Sequence, residues 1–383
     1  MTAAVMNKSG PRPAANTGAI KTTILILSDT HGMALGEHLP SPRADVAIHC
    51  GDLTEESKLV EMRTTLGLLK EIDAPLKLVI AGNHDFTLDI PSFKQKVEQA
   101  RPPLEPALVT KEYGDYGEAE RLFLEAQEHG IRLLREGTHR FVLSNGAELT
   151  VYASPYTPSL GDWGFQYKPD QGHVYNIEKG TDIAITHGPP RGVLDRTNGR
   201  ERGGSSELFA AVATSRPRIH CFGHIHEGWG AKMITWREAQ SHQPSHLTDI
   251  NNGKSEVLEI LNTILPGKYD TPENIALKDA KLVRYGKQRH CHTSHCHDDE
   301  FPLEVEKQTL FVNAAIKGGD DELPVQFPWL VTLELPESEA TKQMEAMLNI
   351  YNGISGERNF CGKRGNEESE HKTDSAKRQR CDR

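Results

Sequence analysis

The sequence predicts an α/β fold, and three observations predict it. Three apolar runs, Thr22 to Ser28, Asp45 to Cys50 and Leu76 to Ala81, are uninterrupted, as strands covered on both faces are. Between the second and third, Leu59, Val60, Met62, Leu66, Leu69 and Ile72 recur at helical spacing, with Ser57 placed to cap them, which gives a β-α-β start. Five strand-length runs stop at His, Asp or Asn: at Asp29-Thr30-His31-Gly32, Gly51-Asp52, Gly82-Asn83-His84-Asp85, His187-Gly188-Pro189-Pro190 and Gly223-His224-Ile225-His226. Open α/β sheets do their chemistry at such strand ends.

Taken in order, residues 1–20 are rich in Ala, Asn, Pro and Gly without periodicity and are expected to be a disordered arm. After the β-α-β start, Arg101 to Pro106 breaks the pattern. Gly117 to Gly130 then predicts an amphipathic helix with Leu122, Phe123 and Ala126 inward. Strands are expected at Arg140 to Leu143, Glu148 to Ala153, Asp182 to Thr186 and Arg218 to Phe222, with a helix at Ser206 to Thr214 before the last. Residues 236–308 are crowded with His, Gln, Asn, Lys and Asp and read as a polar, partly disordered insertion, whose replacement over 240–304 by a short linker should leave the core intact. Core strands resume at Leu310 to Ala315 and Leu330 to Leu335, and Glu337 to Asn349 reads as a helix. One domain over 21–352 is expected, followed by a charged, disordered tail over 353–383.

A chain of 383 residues with 37% hydrophobic residues can bury a large core. The formal net charge of -10 argues against an extended nucleic-acid surface, which needs a basic face to neutralise phosphates. No apolar run approaches the roughly 20 residues that cross a bilayer, so a soluble protein without a membrane partner is expected. Six cysteines, mostly far apart, without a secretory pattern at the start, point to a reducing compartment, the cytoplasm by default. Lys363-Arg364 and Lys377-Arg378-Gln379-Arg380 have bipartite nuclear-import spacing, which adds the nucleus as an alternative. Cys291, His292, His295, Cys296 and His297 are compact enough to bind zinc, against the plainer reading of a disordered His-rich loop.

The strand-end residues suit one chemistry in particular. Two cations roughly 3.5–4 Å apart can orient a water, lower its pKa to make hydroxide and neutralise phosphate oxygens, and such a site wants oxygen and imidazole ligands. Asp29 and His31 are two apart, so continued extended geometry points both side chains the same way, and His224 and His226 repeat the device. Asp52 offers the simplest carboxylate bridge, and Asn83 and His187 are neutral ligands. His84 is left over. Trp163, Phe165 and Tyr167 read as packing before base stacking. Arg191 is placed either to face a substrate phosphate or to be a solvated loop residue.

As a set, DTHG, GDLT, GNHD, THG and GHIH resemble the calcineurin-like metallophosphoesterases. The flanking Ser154-Pro155-Tyr156-Thr157-Pro158, Trp163-Gly164-Phe165 and Val312-Asn313-Ala314 are similar to those of the MPPED-like metallophosphoesterase-domain proteins. The resemblance implies two central β-sheets flanked by helices, and two divalent or trivalent ions, whether Mn, Fe, Zn or Co. It implies that Asp29, His31, Asp52 and His226 hold one ion, that Asp52, Asn83, His187 and His224 hold the other, and that Asp52 bridges. His84 becomes the acid that stabilises phosphate or protonates the leaving oxygen, with Asp85 placed to orient it. Ala81 and the short Gly51-Asp52-Leu53-Thr54 depart from the protein-phosphatase pattern, so protein substrates are disfavoured. The expected activity is hydrolysis of a small phosphodiester, cyclic nucleotides among the candidates, by a metal-bridging hydroxide. A phosphomonoesterase and a non-catalytic binding protein with a retained metal site are the alternatives.

Overall fold

The computed structural model describes residues 18–343 and 347, apart from residue 41 and residues 319–325. Residues up to Ser338 form one compact unit, and 339–343 are helical within a second. The Cys291–His297 stretch, weighed as a zinc site against a disordered His-rich loop, lies within the described residues. The arm before Gly18, residues 344–346, 348 and 349 of the last expected helix, and the basic tail lie outside the described residues.

Two sheets form the unit. The first holds β1 (Ala19–Leu27), β2 (Val46–His49), β3 (Leu76–Val79) and β4 (Ile131–Leu133), all parallel. The second is built from β5 (Gly137–Val142), β6 (Glu148–Ser154), β9 (Ile183–Thr186), β10 (Ile219–Phe222), β11 (Gly230–Thr235), β12 (Glu256–Ile260) and β14 (Gln308–Asn313), with a parallel centre of β6, β9, β10 and β14. A two-residue ribbon, β7 (Thr157–Pro158) with β8 (Gln166–Tyr167), stands apart. β15 (Trp329–Pro336) runs antiparallel along β1, and β13 (Cys291–Ser294) pairs beyond it to complete the first sheet.

Alternation along β1 explains why its run reads as unbroken. Ile24 and Ile26 face Val151, Ile183, Ile219 and Val312 of the second sheet in a shared core, while Leu25 and Leu27 pack outward. Their outer partners come from α1 (Leu59–Glu71), including Leu66 and Leu69, and from α4 (Glu118–Glu125), including Leu122 and Phe123. On the other side, Tyr152, Phe222 and Phe311 of the second sheet meet Leu208, Phe209 and Val212 of α5 (Ser206–Ser215). The result is a helix–sheet–sheet–helix sandwich, as the resemblance implied, with both faces of both parallel centres dry.

Several local expectations need correction. Ser57 does not cap α1: Lys58 occupies that position, the Glu61 carboxylate accepts from its N–H at 3.0 Å, and the Ser57 hydroxyl bonds Thr87 instead. Val60 faces solvent. Two helices flank the Arg101–Pro106 break: α2 (Ile90–Gln99), capped by Asp89, and α3 (Pro106–Tyr113). β1 begins at Ala19, inside the stretch assigned to the arm.

The polar insertion is the largest correction. It is not partly disordered over its described length. β12 adds an antiparallel strand to the second sheet, α6 (Leu261–Ile264) and α7 (Pro272–Gln288) follow, and β13 joins the first sheet. Ile264, Tyr285 and Cys291 are buried in the inter-sheet core. Buried Glu259 accepts from Tyr285 Oη at 2.6 Å and from Lys281 Nζ at 2.8 Å. The sequence hides this because α7 buries so few side chains that its composition is that of a solvated segment. Among the described residues no helix is long and apolar enough to cross a membrane, and no disulfide is present.

Candidate metal centre

All seven predicted ligands leave the carboxyl ends of parallel strands, and the two sheets meet at that end. Ser28, after β1, forms a parallel bridge with Ala315, after β14, so loops from both sheets converge. Asp29 and His31 follow β1, Asp52 follows β2, Asn83 follows β3, His187 follows β9, and His224 and His226 follow β10. The extended geometry expected for Asp29 and His31 is not found. Asp29, His31, Asp52 and His224 have φ of 57°, 45°, 52° and 66°, a left-handed backbone that non-glycine residues adopt only when their surroundings impose it. Here the surroundings are backbone bonds between loops: Asp29 N–H donates to Gly51 O and His31 N–H to Asp52 O, both at 3.0 Å.

Three compact donor groups result among the described residues. Asp29, His31 and His226 form one, Asp52, His187 and His224 a second, and His31, Glu55 and His84 a third that shares His31 with the first, with donor atoms of each group within 4.8 Å of one another. His226 Nε2 lies 3.3 Å from Asp29 Oδ1. His187 Nε2 lies 3.3 Å from Asp52 Oδ1 and 3.0 Å from Asn83 Oδ1, which brings Asn83 to the second group. His31 Nε2 joins the first two, 4.0 Å from Asp29 and 3.7 Å from Asp52. That nitrogen is buried with no hydrogen-bond partner, facing two carboxylates. An imidazole lone pair in such a place fits a cation, and the mixed N/O donor set fits a divalent transition metal.

The electrostatics make the same point. Burial works to raise the Asp29 carboxyl, yet the hydrogen bond and charge of His226 hold it down at about 2. Burial likewise opposes the charged form of His187, but the Asp52 carboxylate pushes it up to about 9. Desolvation and the charge of His187 lower His224 to about 4, leaving a neutral imidazole. The buried carboxylates thus demand positive charge, supplied by protons on histidine or by a metal ion. His187 Nδ1 donates to Cys50 O at 2.9 Å, which leaves Nε2 as the atom that could ligate an ion.

His84 stands beside the first group, its ring centroid 4.8 Å from that of His31. Its backbone N–H donates to Asp52 Oδ1 at 2.9 Å. Asp85 does not orient it. The buried Asp85 carboxylate accepts instead from Gly82 N, Leu53 N, Thr54 N and Thr54 Oγ1 at 2.6–3.1 Å, pinning the Asp52 loop to the Asn83 loop. His84 is held by Nδ1 donating to Glu55 O at 2.6 Å and by the indole of Trp163, 4.3 Å away centroid to centroid. Phe165 meets Tyr156 edge-on, and Tyr167 stacks on His173, so those two rings pack locally. Arg191 is exposed on the loop after His187, its backbone N–H tied to Ser205 O. The Cys291–His297 stretch forms no donor group among the described residues: Cys291 is buried against the core, and Asp299 is tied to Cys296 N and Ser294 Oγ.

Sequence reasoning missed Glu55. Its carboxylate lies 3.1 Å from His31 Nδ1 and 2.5 Å from Lys317 Nζ, and its carbonyl holds His84. The only available signal was its position directly after Gly51-Asp52-Leu53-Thr54. His49 was also missed; buried under the site, it accepts from Gly51 N–H at Nδ1 and so donates from Nε2 to Thr30 Oγ1 at 3.0 Å, bracing the first ligand loop.

The sequence is similar to that of known proteins. The sequence profile described as calcineurin-like phosphoesterase matches residues 22–228. The chain is 33% identical over 219 residues to human metallophosphoesterase domain-containing protein 1, covering 55% of this chain and 62% of that protein, and the mouse protein of the same name matches equally. A protein of Emericella nidulans described as probable rhamnogalacturonate lyase C is 32% identical over 214 residues, 56% of this chain but 18% of that one. The chain thus spans less than two thirds of each of these relatives.

Proposed function

The chain belongs to the calcineurin-like phosphoesterase family, and from that premise we propose that it is a two-metal hydrolase acting on a small phosphodiester, with Asp29, His31, Asp52 and His226 holding one ion and Asp52, Asn83, His187 and His224 the other. The observation that supports the reading is the pair of donor groups, Asp29 with His31 and His226 and Asp52 with His187 and His224, which approach each other where the unpartnered His31 Nε2 faces Asp52; His84, grouped with His31 and Glu55, is assigned the acid's role by the resemblance. When bound, the ions supply hydroxide near neutral pH and offset charge on the phosphate. The chain's own work is then positional. His187 keeps Nε2 for the metal because Nδ1 donates to Cys50 O, and the Glu55 carboxylate, 3.1 Å from His31 Nδ1, stands on the side of that ring away from Asp29 and Asp52. His84 uses Nδ1 to donate to Glu55 O, so Nε2 is the atom that hydrogen-bonds phosphate and protonates the departing oxygen. Asn83 and His84 contact the phosphate, and Arg191 is assigned there by loop position alone.

The test removes His84 and a ligand separately. Asp52→Asn should depress occupancy of both sites. His84→Ala should keep both metals, lose about 10²- to 10⁴-fold in turnover and resist rescue by excess Mn. Its loss should be smaller for an aryl ester, whose alcohol leaves unaided, than for an alkyl ester. Parallel assays on phosphomonoesters and phosphodiesters with Mn fix the class by their ratio, and inactivity on both would leave a metal-binding protein without catalysis. Loss of metal in His84→Ala would overturn its non-ligand role.

A further inference from the structure

Beside the metal centre, α2 and the loop carrying Trp163 enclose a cavity of about 460 Å³ whose lining includes none of the seven ligand residues. Its walls are the rings of Phe86, Phe93, Tyr113 and Trp163, with Val97 and Lys96 contributed by α2. Phe86 and Phe93 belong to a small buried cluster with Val109, so the walls are fixed by packing. Lys96 Nζ lies 4.9 Å from the Trp163 ring centroid and 5.2 Å from that of Phe86, and 3.4 Å from the carboxylate of Asp162, which, like Glu56, also lines the cavity.

The cavity and the reaction centre share one residue. Trp163 packs on His84 and also lines the cavity, and Phe86 follows His84 by only two positions. If His84 protonates the leaving oxygen, the group attached to that oxygen lies next to His84, where Trp163 begins the wall. A space of a few hundred Å³ bounded by aromatic faces fits a planar organic group, and an ammonium at its edge favours a ring bearing acceptor or electron-rich atoms.

We propose that this cavity is the leaving-group subsite and that it selects phosphoesters of planar, aromatic alcohols. The proposal rests on the phosphoesterase reading. Two phosphonates test it on the Mn-loaded full chain by calorimetric titration. Methylphosphonate presents only the acid group to the metals, and benzylphosphonate adds a ring with CH₂ in place of the ester oxygen.

Benzylphosphonate should bind about tenfold tighter or better, as burial of one ring predicts. Val97→Trp, which fills the cavity from α2, should erase that preference and leave methylphosphonate binding unchanged. Leu104→Trp, at a half-exposed lining position, does the same from another wall should the first variant fold poorly. Equal binding of the two ligands by the unmodified chain, or a preference that survives both tryptophans, would overturn the subsite while leaving the phosphoesterase reading intact. Failure of methylphosphonate itself to bind the Mn-loaded chain would remove both.

Discussion

Gly82→Ala offers a test of the metal centre at the scale of a single methyl group. Gly82 ends the run that leads to Asn83, and an added Cβ would meet both the backbone nitrogen and Oδ1 of Asp52 at 2.3 Å and Cε1 of His187 at 2.7 Å. Ordinary contact begins near 3.4 Å, so Asp52 must retreat by about 1 Å, whereas metal–ligand distances tolerate about 0.2 Å. The displaced groups are the proposed bridge and a ligand of the second ion, so Mn affinity should fall by at least about 10- to 100-fold, the range seen when a supporting residue is disturbed. Overpacking should cost about 1–3 kcal/mol of stability, which a large domain can absorb. Gly67→Ala is the control: it lies in α1 with nothing within 4 Å of the new methyl, and should stabilise by about 0.5–1 kcal/mol without touching metal binding. Calorimetric Mn titration and thermal melts of the two variants decide the matter. Unaltered affinity in Gly82→Ala would refute the assignment of Asp52 and His187 as they stand here.

Three further outcomes are expected. Glu55→Ala removes the carboxylate beside His31 but keeps the carbonyl that holds His84, so Mn affinity should drop about 10- to 100-fold while the leaving-group dependence of turnover stays as it was; a changed dependence with normal affinity would reverse the two roles. Tyr285→Phe leaves the buried Glu259 one donor short and should lower urea stability by about 1–3 kcal/mol, and replacing 240–304 by a linker should abolish cooperative unfolding, because β12, α7 and β13 go with it; a metal-binding, cooperatively folded replacement would restore the view of a dispensable insertion. Burial holds His220 neutral, its pKa lowered to about 3. The unfolded imidazole titrates near 6.5, so this contribution is intact above that pH and is lost as pH falls from 6.5 toward 3, at up to about 1.4 kcal/mol per unit. His220→Gln, measured in chelator to exclude metal linkage, should flatten the acid slope of unfolding by that amount, and an unchanged slope would show that His220 is not titrating there.

The legible and illegible parts of the chain differ for physical reasons. Strands of the parallel centres were readable because Ile24 to Leu27 and Val46 to Ile48 are dry on both faces, which writes an unbroken apolar run into the sequence. The convergence of the proposed ligand residues was readable because each stands where such a run stops. Their backbone was not: nothing in Asp29-Thr30-His31 announces a left-handed turn, which arises from bonds to Gly51 and Asp52. Asp85 and Glu55 show the same limit. Both are acidic residues beside motifs, and only the fold reveals that the first braces two loops while the second reaches a histidine 24 positions earlier. The insertion was misread because edge strands and a one-sided helix need little apolar surface.

The pairing of β1 with β15 joins the first strand to the last, Ala19 opposite Pro336. On a ribosome this sets an order of events. Every residue assigned to the metals has been synthesised by His226, yet the strand that flanks β1 is more than a hundred residues from emerging, and Ala315, which bridges Ser28 beside Asp29, is also still to come. The nascent chain therefore carries all its ligands for some seconds, at about 5–20 residues per second, before it can assemble the frame that bends them into place. Premature termination between His226 and Trp329 would leave a product with the full set of ligand motifs and an open first sheet.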